Sequence, residues 1–78
     1  MVAVDLIEEL RLERSLPSPR AARCIREMVG VSQARMAREL GVHRTSVTKW
    51  ELGVRRPHGA QAEAYRMLLE SLQAEARL

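Results

Sequence analysis

The sequence predicts an all-α fold of five helices. Three observations carry that expectation. The chain has 78 residues with no Phe, one Trp and one Tyr, so its core must be aliphatic, and Ala, Leu, Arg and Glu, which dominate it, are good helix formers. Apolar residues recur at spacings of three and four. Gly, Pro and Ser fall between these periodic stretches, where helices stop and start. At this length the chain is one domain.

The first helix is expected over about Val4–Arg14, with Ala3, Leu6, Ile7 and Leu10 at helical spacing. Acidic residues stand at its start and Arg11 and Arg14 at its end, which suits the helix dipole. SLPSP, residues 15–19, breaks the pattern. Ser18 is the candidate N-cap of a second helix, with Pro19 at its first position. That helix is expected over Pro19 to about Val29, with an apolar stripe of Ala21, Cys24, Ile25 and Met28, and Gly30 as its left-handed terminator. Ser32 then caps a third helix, Gln33–Leu40, whose Met36, Ala37 and Leu40 point inward. Gly41 ends it, and a fourth helix begins almost at once, Arg44–Leu52, with Val47 and Trp50 inward. GVRRP, residues 53–57, reads as a loop. The fifth helix is expected over Gly59–Ala76, with Ala64, Met67, Leu68 and Leu72 forming one stripe and Tyr65, Leu69 and Ala76 widening it. That width reaches a second subunit or supports the first helix. The domain therefore divides into an N-terminal helix and linker (1–18), a core (19–57) and a C-terminal helix (58–78).

Charge is unevenly spread. Residues 1–19 carry a net −2 and residues 59–78 a net −1, whereas eight arginines and Lys49 against three glutamates leave residues 20–58 at +6. A basic centre of this kind is the footprint of a polyanion binder. Cys24 is the one cysteine. It forms no internal disulfide, is expected to be an inert buried thiol, and has no Cys/His partners at zinc spacing. No metal or other cofactor is implied. No Ser-His-Asp, Cys-His or paired-carboxylate arrangement and no glycine-rich phosphate loop is visible, so an enzyme is not expected. The N-terminus lacks the basic start of a signal peptide and no apolar run approaches about 20 residues, so a cytoplasmic protein without membrane contact is expected.

The stretch ARELGVHRTSVTKWE, residues 37–51, is a helix interrupted and restarted. Two short helices joined by a tight turn cross steeply and need a small residue at the crossing, here Ala37, and a residue that tolerates positive φ, here Gly41. Met36, Leu40, Val42, Val47 and Trp50 pin the second helix. Arg44, Thr45, Ser46, Thr48 and Lys49 are left outside, short hydroxyls and two cations that suit a DNA major groove.

The run IREMVGVSQARMARELGVHRTSVTKWELGVRRP, residues 25–57, resembles the lambda-repressor-like, Cro and phage-repressor (XRE-type) helix-turn-helix family. The resemblance rests on a basic helix ending in Gly, then Ser-Gln, Ala, Gly-Val, an apolar residue in the next helix, Trp-Glu, Gly and a basic loop ending in Pro. It implies a sequence-specific regulator that binds double-stranded DNA, with a helix-turn-helix at 33–52 and an additional N-terminal helix. It also assigns roles. Arg44, Thr45 and Lys49 read bases, and Thr48, grouped with these base readers, either touches a thymine methyl or only points along the groove wall. Gln33, His43, Ser46, Arg55 and Arg56 contact the DNA backbone, and Arg26 and Glu51 form a structural ion pair. Arg20 and Arg23 either reach phosphates or merely solvate the second helix. Many phage repressors carry Gln where Arg44 stands, and Arg favours guanine, so a G·C pair is expected early in each of two related half-sites. A small Cro-like repressor, acting as a homodimer at least on DNA and without a small-molecule ligand, is the first reading. An antitoxin-type regulator that also holds a toxin, and a protein-interaction adaptor, are the alternatives.

Overall fold

The computed structural model describes the chain from residue 2 to residue 77, and side chains from Asp5 to Arg77. Five helices follow one another: α1 (Val2–Ser15), α2 (Pro19–Met28), α3 (Gln33–Leu40), α4 (Arg44–Leu52) and α5 (Gly59–Ala76). No strand occurs among the described residues.

The helix ends are set by local chemistry. Ser18 Oγ accepts from the Ala21 N–H at 3.1 Å with Pro19 in the first turn. Ser32 Oγ accepts from the Arg35 N–H at 3.0 Å. Each cap satisfies a backbone donor that the helix start leaves free. At the other end of α3, Gly41 turns the chain with φ +67°, a conformation that crowds any Cβ. The turn lets the Val42 N–H reach back to the Ala37 carbonyl at 3.0 Å. Gly30 and Gly53 end α2 and α4 in the same left-handed way.

The core joins α2, α3, α4 and α5. Ala22 and Ile25, Met36 and Ala37, Val47 and Trp50, and Tyr65 and Leu69 are buried together. Leu16, Val31, Leu40, Val42, Leu68 and Leu72 pack around them half-buried. The Trp50 and Tyr65 rings lie 4.9 Å apart at a 44° tilt, the offset arrangement that aromatic quadrupoles favour. Tyr65 hydroxyl is buried without a hydrogen-bond partner among the described residues. Burial, and secondarily the nearby Glu51 charge, push its pKa up to about 12.

Three expected faces are corrected. On α2 the inward residues are Ala22, Ile25 and Arg26, while Ala21, Cys24 and Met28 are exposed. Cys24 is therefore an exposed thiol and not a buried one. The helix is rotated because Arg26, a cation, takes an inward position with a buried partner. On α5 the buried residues are Ala62, Tyr65 and Leu69, and Ala64 and Met67 face solvent. Tyr65 sets that phase by meeting Trp50. On α1, Leu6, Ile7 and Leu10 are exposed, because among the described residues α1 touches no helix but α5 and turns Leu12 and Glu13 toward the fold. Ala3 lies outside the described side chains. Glu13 Oε1 lies 3.2 Å from His58 Nδ1, which ties α1 to the start of α5.

Two predictions test this packing. Leu69→Ala should cost about 2–5 kcal/mol in urea unfolding, whereas Met67→Ala, which is 55% exposed, should fall within about 0.5 kcal/mol of the parent. Tyr65→Phe removes the orphaned hydroxyl and should leave stability unchanged or raise it by up to about 1–3 kcal/mol. It should also abolish the loss of stability expected between pH 10 and 12. In that window the unfolded tyrosine ionises and the folded one does not.

Candidate nucleic-acid interface

The helix-turn-helix is braced from behind by one buried ion pair. Arg26 of α2 meets Glu51 of α4 in a two-pronged contact. Its Nε donates to Glu51 Oε2 at 2.7 Å and one terminal nitrogen donates to Oε1 at 2.9 Å. The other terminal nitrogen donates to the Val31 carbonyl at 2.8 Å. Burial pushes the Glu51 carboxyl up, but hydrogen bonds from Arg26 and Gln33 and the Arg26 charge outweigh it, so its pKa ends below the ordinary value. The bond to Glu51 likewise raises Arg26, against the opposing effect of burial.

Gln33, the first residue of α3, extends this brace. Its Nε2 donates to Glu51 Oε1 at 3.0 Å. Its Oε1 accepts from Thr48 Oγ1 at 2.8 Å. Thr48 Oγ1 also lies 3.2 Å from the Arg44 carbonyl. A threonine hydroxyl has one hydrogen, and here it is used inside the protein. Thr48, expected among the base readers, is thus half-buried and held by Gln33 and its own helix. Gln33 keeps its second Nε2 hydrogen, so its amide can still donate outward.

The outer face of α4 is different. Arg44, Thr45 and Lys49 are exposed, while Val47, Trp50 and Glu51 of the same helix are buried. Ser46 is half-buried, and its N–H donates to the His43 carbonyl at 2.9 Å. His43 is the N-cap of α4. Its Nδ1 accepts from the Thr45 N–H at 3.4 Å and lies 3.0 Å from Thr45 Oγ1.

An open notch between α2, α3 and α4 brings Arg23, Gln33 and Arg44 together with Ser32 and Ala34. The start of α3 faces it, with free backbone donors and the positive end of the helix dipole, which favours phosphate oxygens. Arg23, left undecided by sequence, belongs to this notch, although its guanidinium also lies 3.5 Å from Glu27. Arg55 and Arg56 are not in it. They line a separate cleft at the far end of α4 with Pro19, Trp50 and Pro57. The basic groups thus flank both ends of α4.

A family model described as Helix-turn-helix matches residues 23–69, more than half of the chain. The chain belongs to the lambda-repressor-like (XRE-type) helix-turn-helix family. No curated protein and no solved structure matches it. The match spans most of α2, all of α3 and α4 and much of α5, and leaves α1 outside. As a helix-turn-helix protein of this type the chain is a DNA-binding transcription regulator whose partner is double-stranded DNA. Among the described residues no cluster of His, Cys, Asp and Glu could hold a metal. Among the same residues no helix is long and apolar enough to cross a membrane.

Glu51→Ala should destabilise the helix-turn-helix protein by about 3–5 kcal/mol in denaturant unfolding, because it strands a buried guanidinium. The double change Arg26→Met with Glu51→Leu should recover most of that loss. Since the folded pKa of Glu51 is depressed, its contribution is complete above the unfolded value near 4.5 and is lost as pH falls through the folded value. Acid unfolding below about pH 4.5 should therefore be steeper in the parent than in Glu51→Ala.

Proposed function

We propose that this regulator is a small Cro-like repressor that occludes a promoter by binding an operator through α4. The outer face of α4 carries this reading. Arg44, Thr45 and Lys49 stand exposed on a helix whose other side is locked into the core. Arg44 has a fork of donors that suits the O6 and N7 acceptors of guanine. Lys49, one turn on, supplies a second contact. Gln33 with the start of α3, His43, Ser46, Arg55 and Arg56 hold the sugar-phosphate backbone, and Arg23 joins them through the notch it shares with Gln33 and Arg44. Backbone contacts of this kind fix register, and base contacts fix sequence. The protein binds as a homodimer with half-sites about 10 base pairs apart, the spacing that sets two recognition helices in successive major grooves.

One observation favours a second reading. Leu6, Ile7 and Leu10 form an exposed apolar stripe on α1. An antitoxin-type regulator would use such a helix to hold a protein toxin while α4 holds DNA.

Selection from a random duplex pool tests the first reading. A two-fold related motif with a G·C pair in each half is expected. On the selected duplex, Arg44→Ala should relax that pair and cost about 1–3 kcal/mol, whereas Arg55→Ala should weaken all sequences alike and reduce the salt slope by about one. Binding that fades steeply with salt and enriches nothing would reduce the basic face to a general polyanion patch.

A further inference from the structure

The N-cap of α4 fixes the hydrogen-bond polarity of the residue next to Arg44. The Thr45 backbone N–H donates to His43 Nδ1. A backbone amide can only donate, so Nδ1 is the bare ring nitrogen and the ring hydrogen is on Nε2. Thr45 Oγ1 lies 3.0 Å from that same Nδ1. A bare nitrogen can only accept, so the N–H at 3.4 Å and the hydroxyl at 3.0 Å share its one lone pair, and the shorter contact holds the single hydrogen of the Thr45 hydroxyl. Oγ1 is left with lone pairs alone, on a side chain that faces solvent at the start of α4.

This matters because base edges in the major groove differ in polarity. Adenine N6 and cytosine N4 donate, while guanine O6 and N7 and thymine O4 accept. A free threonine hydroxyl satisfies either kind. An acceptor-only hydroxyl pairs with an amino group and is mismatched against a carbonyl. We propose that His43 is a positioning residue for specificity. By holding the hydroxyl hydrogen of Thr45, it makes Thr45 select adenine or cytosine, over guanine or thymine, on the contacted strand. The assignment rests on the operator reading of α4 given above and adds the identity of the base class beside the Arg44 guanine.

Selections run in parallel at pH 8 with the parent, Thr45→Val, His43→Ala and His43→Asn test it. The parent should enrich A or C at one position adjacent to the Arg44-dependent G·C pair, by roughly fivefold, the worth of one hydrogen bond. Thr45→Val should lose that preference. His43→Ala should also lose it, because the freed hydroxyl can then donate. His43→Asn should keep it, since an asparagine oxygen at the N-cap accepts from the same two donors. A merely structural cap would not separate these two variants at a single base position. Nitrogen chemical shifts of the His43 ring in the free protein give a reading that needs no DNA, and the hydrogen is expected on Nε2. A hydrogen on Nδ1, a preference for G or T, or a His43→Ala profile identical to the parent would overturn the assignment while leaving the Arg44-dependent motif in place. A pool from which no motif emerges would overturn the operator reading and the His43 assignment together.

Discussion

The buried pair of Arg26 and Glu51 is the constraint that organises this fold. Neither charge would sit inside a small helical domain alone, since an isolated ion in the interior costs several kcal/mol. Together they are tolerated because both carboxylate oxygens are bonded and three of the five guanidinium N–H groups find acceptors. The guanidinium gives two bonds to the carboxylate and a third to the Val31 carbonyl. The carboxylate takes one more from Gln33. One cluster therefore touches α2, the loop after it, α3 and α4. The apolar core holds these elements close, but apolar contact is nearly indifferent to small rotations and slides. A forked contact is not, because its geometry is directional. It sets the angle at which α4 leaves the body.

That arrangement explains how a core built around nine buried apolar residues among those described can present a rigid helix. α4 must face two ways. Val47, Trp50 and Glu51 anchor it, and Arg44, Thr45 and Lys49 stay clear. On nine residues there is little room for both tasks, and the side chains between the two faces are drawn to the inner one. Thr48 is the clearest case. Its hydroxyl hydrogen serves Gln33 and the Arg44 carbonyl, which steadies the turn of helix that carries Arg44. The hydroxyl hydrogen that braces this turn of α4 is thereby held inside the protein.

Much of this was legible in the sequence, and the failures have a common cause. The limits of α3, α4 and α5 follow from Ser32, Gly41, Gly53 and Gly59, where a cap or a positive φ leaves little choice. The inward phase of Met36, Ala37, Val47 and Trp50 follows from plain hydrophobic spacing. The faces of α2 and α5 did not follow, because spacing counts Arg26 as polar and hence outward. Pairing with Glu51 reverses that, and the turn exposes Cys24 and Met28 in its wake. On α5 a stripe drawn through Ala64 and Met67 ignored the size of Tyr65, whose ring needs the space beside Trp50. Hydrophobic pattern cannot see a partner some 25 residues away in the chain. The resemblance of residues 25–57 supplied the pair, but not the two links from Glu51 through Gln33 to Thr48, which require coordinates.

The same logic extends to the start of α4. A helix that begins immediately after a tight turn has unsatisfied N–H groups at the point where DNA would approach. Serine, threonine or asparagine would answer them with a small oxygen. A histidine answers with a nitrogen on a rigid ring that has a second nitrogen of opposite polarity. Once the Thr45 N–H has made Nδ1 the acceptor, Nε2 must be the donor, and a donor suits the phosphate-rich surroundings of a groove wall. One side chain thus closes the helix end, takes the Thr45 hydroxyl hydrogen and keeps an N–H free. The cap is part of the folding problem and of the reading problem at once. A substitution that preserves only the first task would leave the protein folded and change what it reads.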